Sequence, residues 1–237
     1  MTMKRSLATL SVFLLATAAP LHAQGFGFAG GVNLADFFGD DVGESGSKSG
    51  LALGLTKPLF RAGRFQLRAE GYYRQKGAKD VEEFQTLVAS GETAEFGIDY
   101  VEVPLLLRVE MPGLGGRVFP YLQAGPAFAW RIDCGVSFAG STGSQETACD
   151  DLSGEDVGET IKSFESGLVF GGGFELPVLG VGAITLDGRY THGLSRLAED
   201  GDIRNRALSL MLGYSFSVPS GLGRGPAGGR PGPPGVP

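Results

Sequence analysis

DYVEVPLLLRVEM, residues Asp99 to Met111, decides the fold. Read with a period of two, Val101, Val103, Leu105, Leu107 and Val109 share one face, and Glu102, Pro104, Leu106, Arg108 and Glu110 share the other. Successive side chains of a strand point to opposite faces, so this stretch is a strand with one aliphatic face and one charged face. In a soluble barrel the aliphatic face fills the core. In a membrane barrel it meets lipid, and the charges fill the lumen.

The chain on either side repeats the pattern. Phe26, Phe28, Gly30, Val32 and Leu34 alternate with small or polar residues, as do Leu51, Leu53 and Leu55. Phe65 to Arg74 sets Phe65, Leu67, Ala69 and Tyr73 against Gln66, Arg68, Glu70, Tyr72 and Arg74. Further strands are predicted at Arg117 to Arg131, Phe164 to Leu176, Ala183 to Thr191 and Ile203 to Val218. Short turns are expected at Lys57 to Gly63, Met111 to Gly116 and Pro177 to Gly182. Long polar loops are expected at Asp36 to Lys48, Gln75 to Ala94, Asp133 to Ser163 and His192 to Asp202. Strict alternation of long and short connections is the habit of an up-and-down barrel with long loops outside and short turns in the periplasm. The fold expected is therefore all-β: an eight-stranded antiparallel up-and-down transmembrane β-barrel over residues 24–218.

Composition agrees. Of 237 residues 40 are glycine, more than double the usual share of about 7%, which suits bulges and a tightly curved wall. Aromatic residues gather near strand ends at Tyr72, Tyr73, Tyr100, Phe119, Tyr121, Trp130, Tyr190, Tyr214 and Phe216, where amphipathic rings favour headgroup level. Pro104, Pro120 and Pro126 fall inside strands and remove ladder donors, so bulges or rim positions are expected there. The net charge is -6 with scattered cations, which carries no nucleic-acid footprint. Lys4 and Arg5, an apolar core from Leu7 to Ala19 and Leu21-His22-Ala23 before Gln24 read as a signal peptide over residues 1–23. Removing its two cations leaves -8. Residues 219–237, PSGLGRGPAGGRPGPPGVP, are nearly all Gly and Pro and read as a disordered tail. Secretion reaches an oxidising compartment, so Cys134 and Cys149 are expected to pair.

YVEVPLLLRVE at Tyr100 to Glu110 resembles the "YLEIPLLLK" strand of the porin-family, PorT-like outer-membrane β-barrel proteins. PYLQAGP at Pro120 to Pro126, RYTHGLSRL at Arg189 to Leu197 and ALSLMLGYSF at Ala207 to Phe216 resemble that family's following, penultimate and last strands. The resemblance covers Gly25 to Val218. It implies a barrel in the outer membrane of a Gram-negative bacterium, in a family most of whose members have no assigned biochemical role and a few assist secretion. The Gly/Pro tail departs from the family's pattern, which ends at the last strand.

The face opposite the aliphatics gathers Arg68, Glu70, Arg74, Glu102, Arg108, Glu110, Glu175, Asp187 and Arg189. Opposite charges on neighbouring strands support pairing, and side chains fill a barrel of eight strands. A plugged, charged lumen is expected, with a narrow porin for small solutes as the alternative. A second alternative is a rim lipid hydrolase using His192, the one histidine after the leader, with Ser195 and Asp200 nearby. The loop at 133–162 carries Asp133, Glu146, Asp150, Asp151, Glu155, Asp156 and Glu159 against Lys162. Oxygen-rich clusters can hold Ca²⁺, but no calcium-loop pattern is present and a solvated surface is the reading adopted. The expectation is a non-enzymatic, monomeric barrel with no cofactor, no metal and no catalytic residue, in a structural, surface-interaction or accessory role. Its expected partners are outer-membrane lipid, lipopolysaccharide and the barrel-assembly machinery, without nucleic acid.

Overall fold

A computed structural model describes residues 25–40, 42, 46–79, 93–115, 117–140, 143–149, 162–178, 182–197 and 202–216. The leader read at 1–23 and the tail at 219–237 lie outside the described residues. The strands described are β1 (Gly27–Phe38), β2 (Gly46–Ala62), β3 (Phe65–Lys79), β4 (Thr93–Glu110), β5 (Phe119–Gly140), β6 (Gly143–Ala148), β7 (Phe164–Val178), β8 (Gly182–Gly193) and β9 (Arg204–Phe216). All pairings are antiparallel, in the order β4-β3-β2-β1-β9-β8-β7-β5, and β4 pairs with β5 to close the ring. Eight strands make the barrel. The ninth, β6, pairs only with the outer end of β5 along Gly135–Gly140, while the inner part of β5 pairs with β7.

The two faces are those read from the period of two. Leu51, Leu53 and Leu55, Leu208, Leu210 and Leu212, and Phe170 and Phe174 stand exposed on the outer wall. Arg74, Glu102, Arg108 and Arg189 are buried inside. Large apolar side chains each gain about 1.5–3 kcal/mol on leaving water. A wall of them around a charged interior is the inverse of a soluble barrel, and lipid is the solvent that stabilises it.

Several boundaries differ from those the sequence suggests. Lys57 to Gly63 is not a turn: β2 continues to Ala62, and the turn is Gly63–Arg64, with Gly63 at φ 59°. The strand survives Pro58 because the register slips there, Pro58 facing Arg68 and Phe60 facing Leu67, so that Leu59 is bulged out. The loops expected at 75–94 and 133–163 are partly strand, since β3 runs to Lys79 and β5 to Gly140, followed by β6. These extensions lie at the long-loop end of the barrel, beside the apolar cluster of Ala78, Phe96, Ile98 and Val136. There a ladder needs backbone pairing but no alternation of polarity, so the pattern is silent.

The three prolines also differ from expectation. Pro120 lies at the start of β5, near the rim. Pro104 and Pro126 sit mid-strand without a bulge. Instead the ladder is interrupted in constant register, between Ala69↔Leu105 and Tyr72↔Glu102 on one side of β4 and between Pro104↔Ala127 and Leu107↔Ala124 on the other. The bulge in β5 is elsewhere. Tyr100 faces Arg131 and Asp99 faces Asp133, leaving Ile132 unpaired. That extra residue reverses the phase of β5, so odd positions point inward below it and even positions above it. Cys134 and Val136 are thereby turned into the barrel.

Candidate functional site: the filled lumen

The lumen is built in layers. At the short-turn end, Arg108 on β4 donates from Nη2 to Glu175 on β7 at 2.6 Å, and its guanidinium lies 3.6 Å from the centre of the Tyr121 ring. Glu110 lies 3.9 Å from Arg108 and takes a 2.6 Å bond from Arg61 at the mouth. The next layer centres on Arg189 of β8. It donates to Glu70 on β3 and, from Nε at 2.5 Å, to Asp187. Asp187 also accepts from Tyr121 Oη at 3.0 Å and Gln123 Nε2 at 3.4 Å. Arg68 Nε stands 3.7 Å from Glu70.

Above it, Glu102 meets Lys76 at 2.8 Å and Arg74 at 3.3 Å. Arg74 reaches on to Ser209 Oγ at 3.1 Å, and Ser209 donates to Asn33 at 2.7 Å. Next, Glu165 accepts from Tyr100 Oη and from Asn205 Nδ2, the latter at 2.8 Å. At the long-loop end the lining turns apolar, with Phe37, Phe96, Ile98, Val136 and Leu197 packed around the Cys134–Cys149 disulfide.

Arg68, Glu70, Arg74, Glu102, Arg108, Asp187 and Arg189 are buried inside, with Glu110 and Glu175 partly exposed at the short-turn mouth. Glu102 pairs with Arg74 and Lys76 between the neighbouring strands β4 and β3, but other pairs reach further. Glu70–Arg189 joins β3 to β8, and Arg108–Glu175 joins β4 to β7 across β5. Ion pairs therefore cross the lumen. Arg108 and Glu102, neighbours in the opening motif, belong to different layers. The sequence reading missed Lys76, which it placed in a loop, and left out Glu165, which falls on the inward parity of β7. It also set Tyr72, Tyr100 and Tyr121 among the interfacial aromatics. All three are buried in the lumen, where ring faces stack on Arg and Lys and the hydroxyls of Tyr100 and Tyr121 donate to Glu165 and Asp187. Their parity with Glu70, Glu102 and Gln123 was the available signal. Trp130, Tyr190, Tyr214 and Phe216 do face outward.

Space for these long side chains comes from β7. Gly171 and Gly173 face Arg189 and Asp187 across the ladder. A Cβ at Gly173 would lie 2.5 Å from Asp187 Cβ and 2.3 Å from Leu186 O. The interior void lined by Lys76, Glu102, Glu165, Thr191 and Asn205 has room for about one water molecule.

The residues of the hydrolase reading are engaged otherwise. Ser195 Oγ accepts from Ser166 N at 2.9 Å and donates to Ser166 O at 3.4 Å. His192 Nδ1 lies 3.5 Å from Tyr190 Oη, and its ring is 4.8 Å from that of Phe38. Asp200 lies outside the described residues, as do Asp150, Asp151, Glu155, Asp156 and Glu159 of the acidic loop. Among the described residues, no three His, Cys, Asp or Glu side chains are arranged to hold a metal ion.

An eight-stranded antiparallel barrel with an apolar outer wall and a charged, filled interior defines a protein of the outer-membrane barrel class. The chain belongs to the outer membrane protein β-barrel domain family, whose model matches residues 17–199. Among solved structures it is similar to Neisserial surface protein A (13% identity, TM-score 0.45, covering 81% of this chain and 97% of that one). It is also similar to OprG of Pseudomonas aeruginosa (16%, 0.43, 83% and 97%) and to Ail, the attachment invasion locus protein of Yersinia pestis (13%, 0.38, 82% and 100%). No curated protein sequence matches the chain.

Proposed function

We propose that this protein is a non-conducting, non-enzymatic barrel, delivered through the periplasm by its N-terminal leader, that serves the cell envelope as a structural or surface-interaction element. The motifs shared with PorT-like barrels support placing it near them within the wider family. The observation that carries the reading is the Arg189–Glu70–Asp187 cluster, which spans the lumen from β8 to β3 beneath the Arg74–Glu102–Lys76 layer. Separating these charges leaves each unpaired in a confined interior, which is costly. The engagement of Ser195 by the Ser166 backbone supports the non-enzymatic part.

Planar-bilayer recordings test it. Wild-type protein should show no steady open channel. Arg74→Ala with Arg189→Ala should remove side chains from two successive layers and admit small, irregular currents. A stable, large conductance from the unmodified protein overturns the reading.

A further inference from the structure

At the long-loop edge of the β1–β9–β8 sector the outer wall carries a group of arginines, each held by a carboxylate. Outward positions of β9 run Phe216, Tyr214, Leu212, Leu210 and Leu208, then Arg206 and Arg204. From Phe216 to Leu208 is about 27 Å of strand, or about 20 Å of height at a tilt of about 40°. Arg206 therefore leaves the apolar band at the headgroup level of the outer leaflet. On β1, Asp36 and Phe38 pair with Arg206 and Arg204. On β8, His192 pairs with Arg206. Arg196 joins from the connection after β8.

The carboxylates are less exposed than the cations they hold. Arg206 donates from Nη2 to Asp36 at 2.7 Å, with side-chain exposures of 47% for the arginine and 13% for the aspartate. Asp202, at 22%, takes a 2.9 Å bond from Arg204 Nε and lies 3.5 Å from Nε of Arg196, which is 55% exposed. Asp36 holds Arg206, and Asp202 holds Arg204 and Arg196, while Arg206 and Arg196 stay about half exposed. Level with these arginines, the His192 and Phe38 rings lie against each other at 4.8 Å, and Arg206 sits 5.8 Å from the centre of the Phe38 ring. A guanidinium held by a carboxylate and an aromatic face keeps one orientation, which lowers the entropy lost when its fork meets an oxyanion.

We propose that this β1–β9–β8 sector binds a phosphate group of a glycolipid in the outer leaflet. Arg196 and Arg206 donate to the phosphate oxygens, Arg204 adds charge, and the acyl chains lie on Leu34, Leu208 and Leu210 below. Asp36, Asp202 and the exposed Asp40 offset the positive charge. Recognition therefore rests on directed, charge-assisted hydrogen bonds more than on a long-range field. The inference rests on the membrane placement proposed above and adds the partner at its rim.

The test is native mass spectrometry of the full mature chain in detergent micelles, with diphosphoryl lipid A as the probe. Each variant is first shown to run faster unboiled than boiled on a gel. Failure of that control in the wild type counts against the membrane barrel itself, separately from the lipid site. The wild type should carry one lipid A, and should keep it in EDTA. The triple variant Arg196→Gln, Arg204→Gln, Arg206→Gln should lose it by about tenfold or more, while Arg61→Gln, at the opposite mouth, should retain it. Equal retention by the triple variant overturns the proposal. So does loss of the adduct in EDTA, which would make a divalent ion on the carboxylates the binder, or an equal adduct with phosphatidylglycerol, which would make the lipid's identity irrelevant.

Discussion

Arg189 shows what a single residue does here. Its guanidinium is almost fully buried and holds Glu70 and Asp187, both buried, from opposite sides of the lumen. Arg189→Ala leaves two carboxylates without their cation, and removing one partner of a buried pair costs about 3–5 kcal/mol. Arg61→Ala breaks a pair whose arginine is 52% exposed, a class worth about 0–1 kcal/mol. Urea unfolding of the protein in lipid vesicles should therefore show a much lower midpoint for Arg189→Ala than for Arg61→Ala. Equal midpoints would mean that the lumen is wet enough to solvate the orphaned acids. The glycines opposite make the same point by size. Gly173→Ala drives a methyl into Asp187 and the Leu186 carbonyl, whereas a Cβ at Gly188, on the lipid side of β8, meets nothing within 4 Å. Refolding yield, read as the fraction running in the fast unboiled form, should fall sharply for Gly173→Ala and stay near wild type for Gly188→Ala. Similar yields for the two would refute the inward placement of Gly173.

At the scale of the element, β4 combines a clear alternation with a ladder interrupted on both of its edges. Pro104 has no N–H to donate, and pairing is interrupted beside it on both edges of the strand. Leu106, Ala127 and Val169 pack together at that level and keep the wall closed by side-chain contact. The amides of Leu105 and Leu106 should exchange with deuterium before those of Val101 and Val109, measured by NMR in micelles. Uniform protection along β4 would show that Pro104 does not open the ladder. At the other end, β5 changes partner from β7 to β6 after the Ile132 bulge, and the Cys134–Cys149 bridge ties the resulting hairpin into the apolar cluster above the charged layers.

For the whole molecule the outer wall is the decisive surface. Exposed leucines and phenylalanines on every barrel strand would aggregate in water. The protein should stay with outer membranes after a carbonate or urea wash and should migrate faster unboiled than boiled. Complete release into the wash would contradict a lipid-facing wall.

Sequence alone determined the eight barrel strands, their two faces and most of the inward charges, Lys76 and Glu165 apart. Alternation with a period of two is a local property, and in a barrel each strand carries the whole in-out distinction by itself. It missed the strand extensions at the long-loop end and the β5–β6 hairpin, because pairing there needs no polarity pattern. Only the tertiary structure decided who pairs with whom inside. Arg108 sits six residues from Glu102 in the motif that gives away the fold, yet binds Glu175 two strands away, and Glu70 binds Arg189 on the far wall. Those choices depend on ring closure, on the Ile132 bulge that turns Cys134 inward, and on the room left by Gly171 and Gly173. Each sets distances between residues far apart in the chain, and a pattern within one strand carries no record of them.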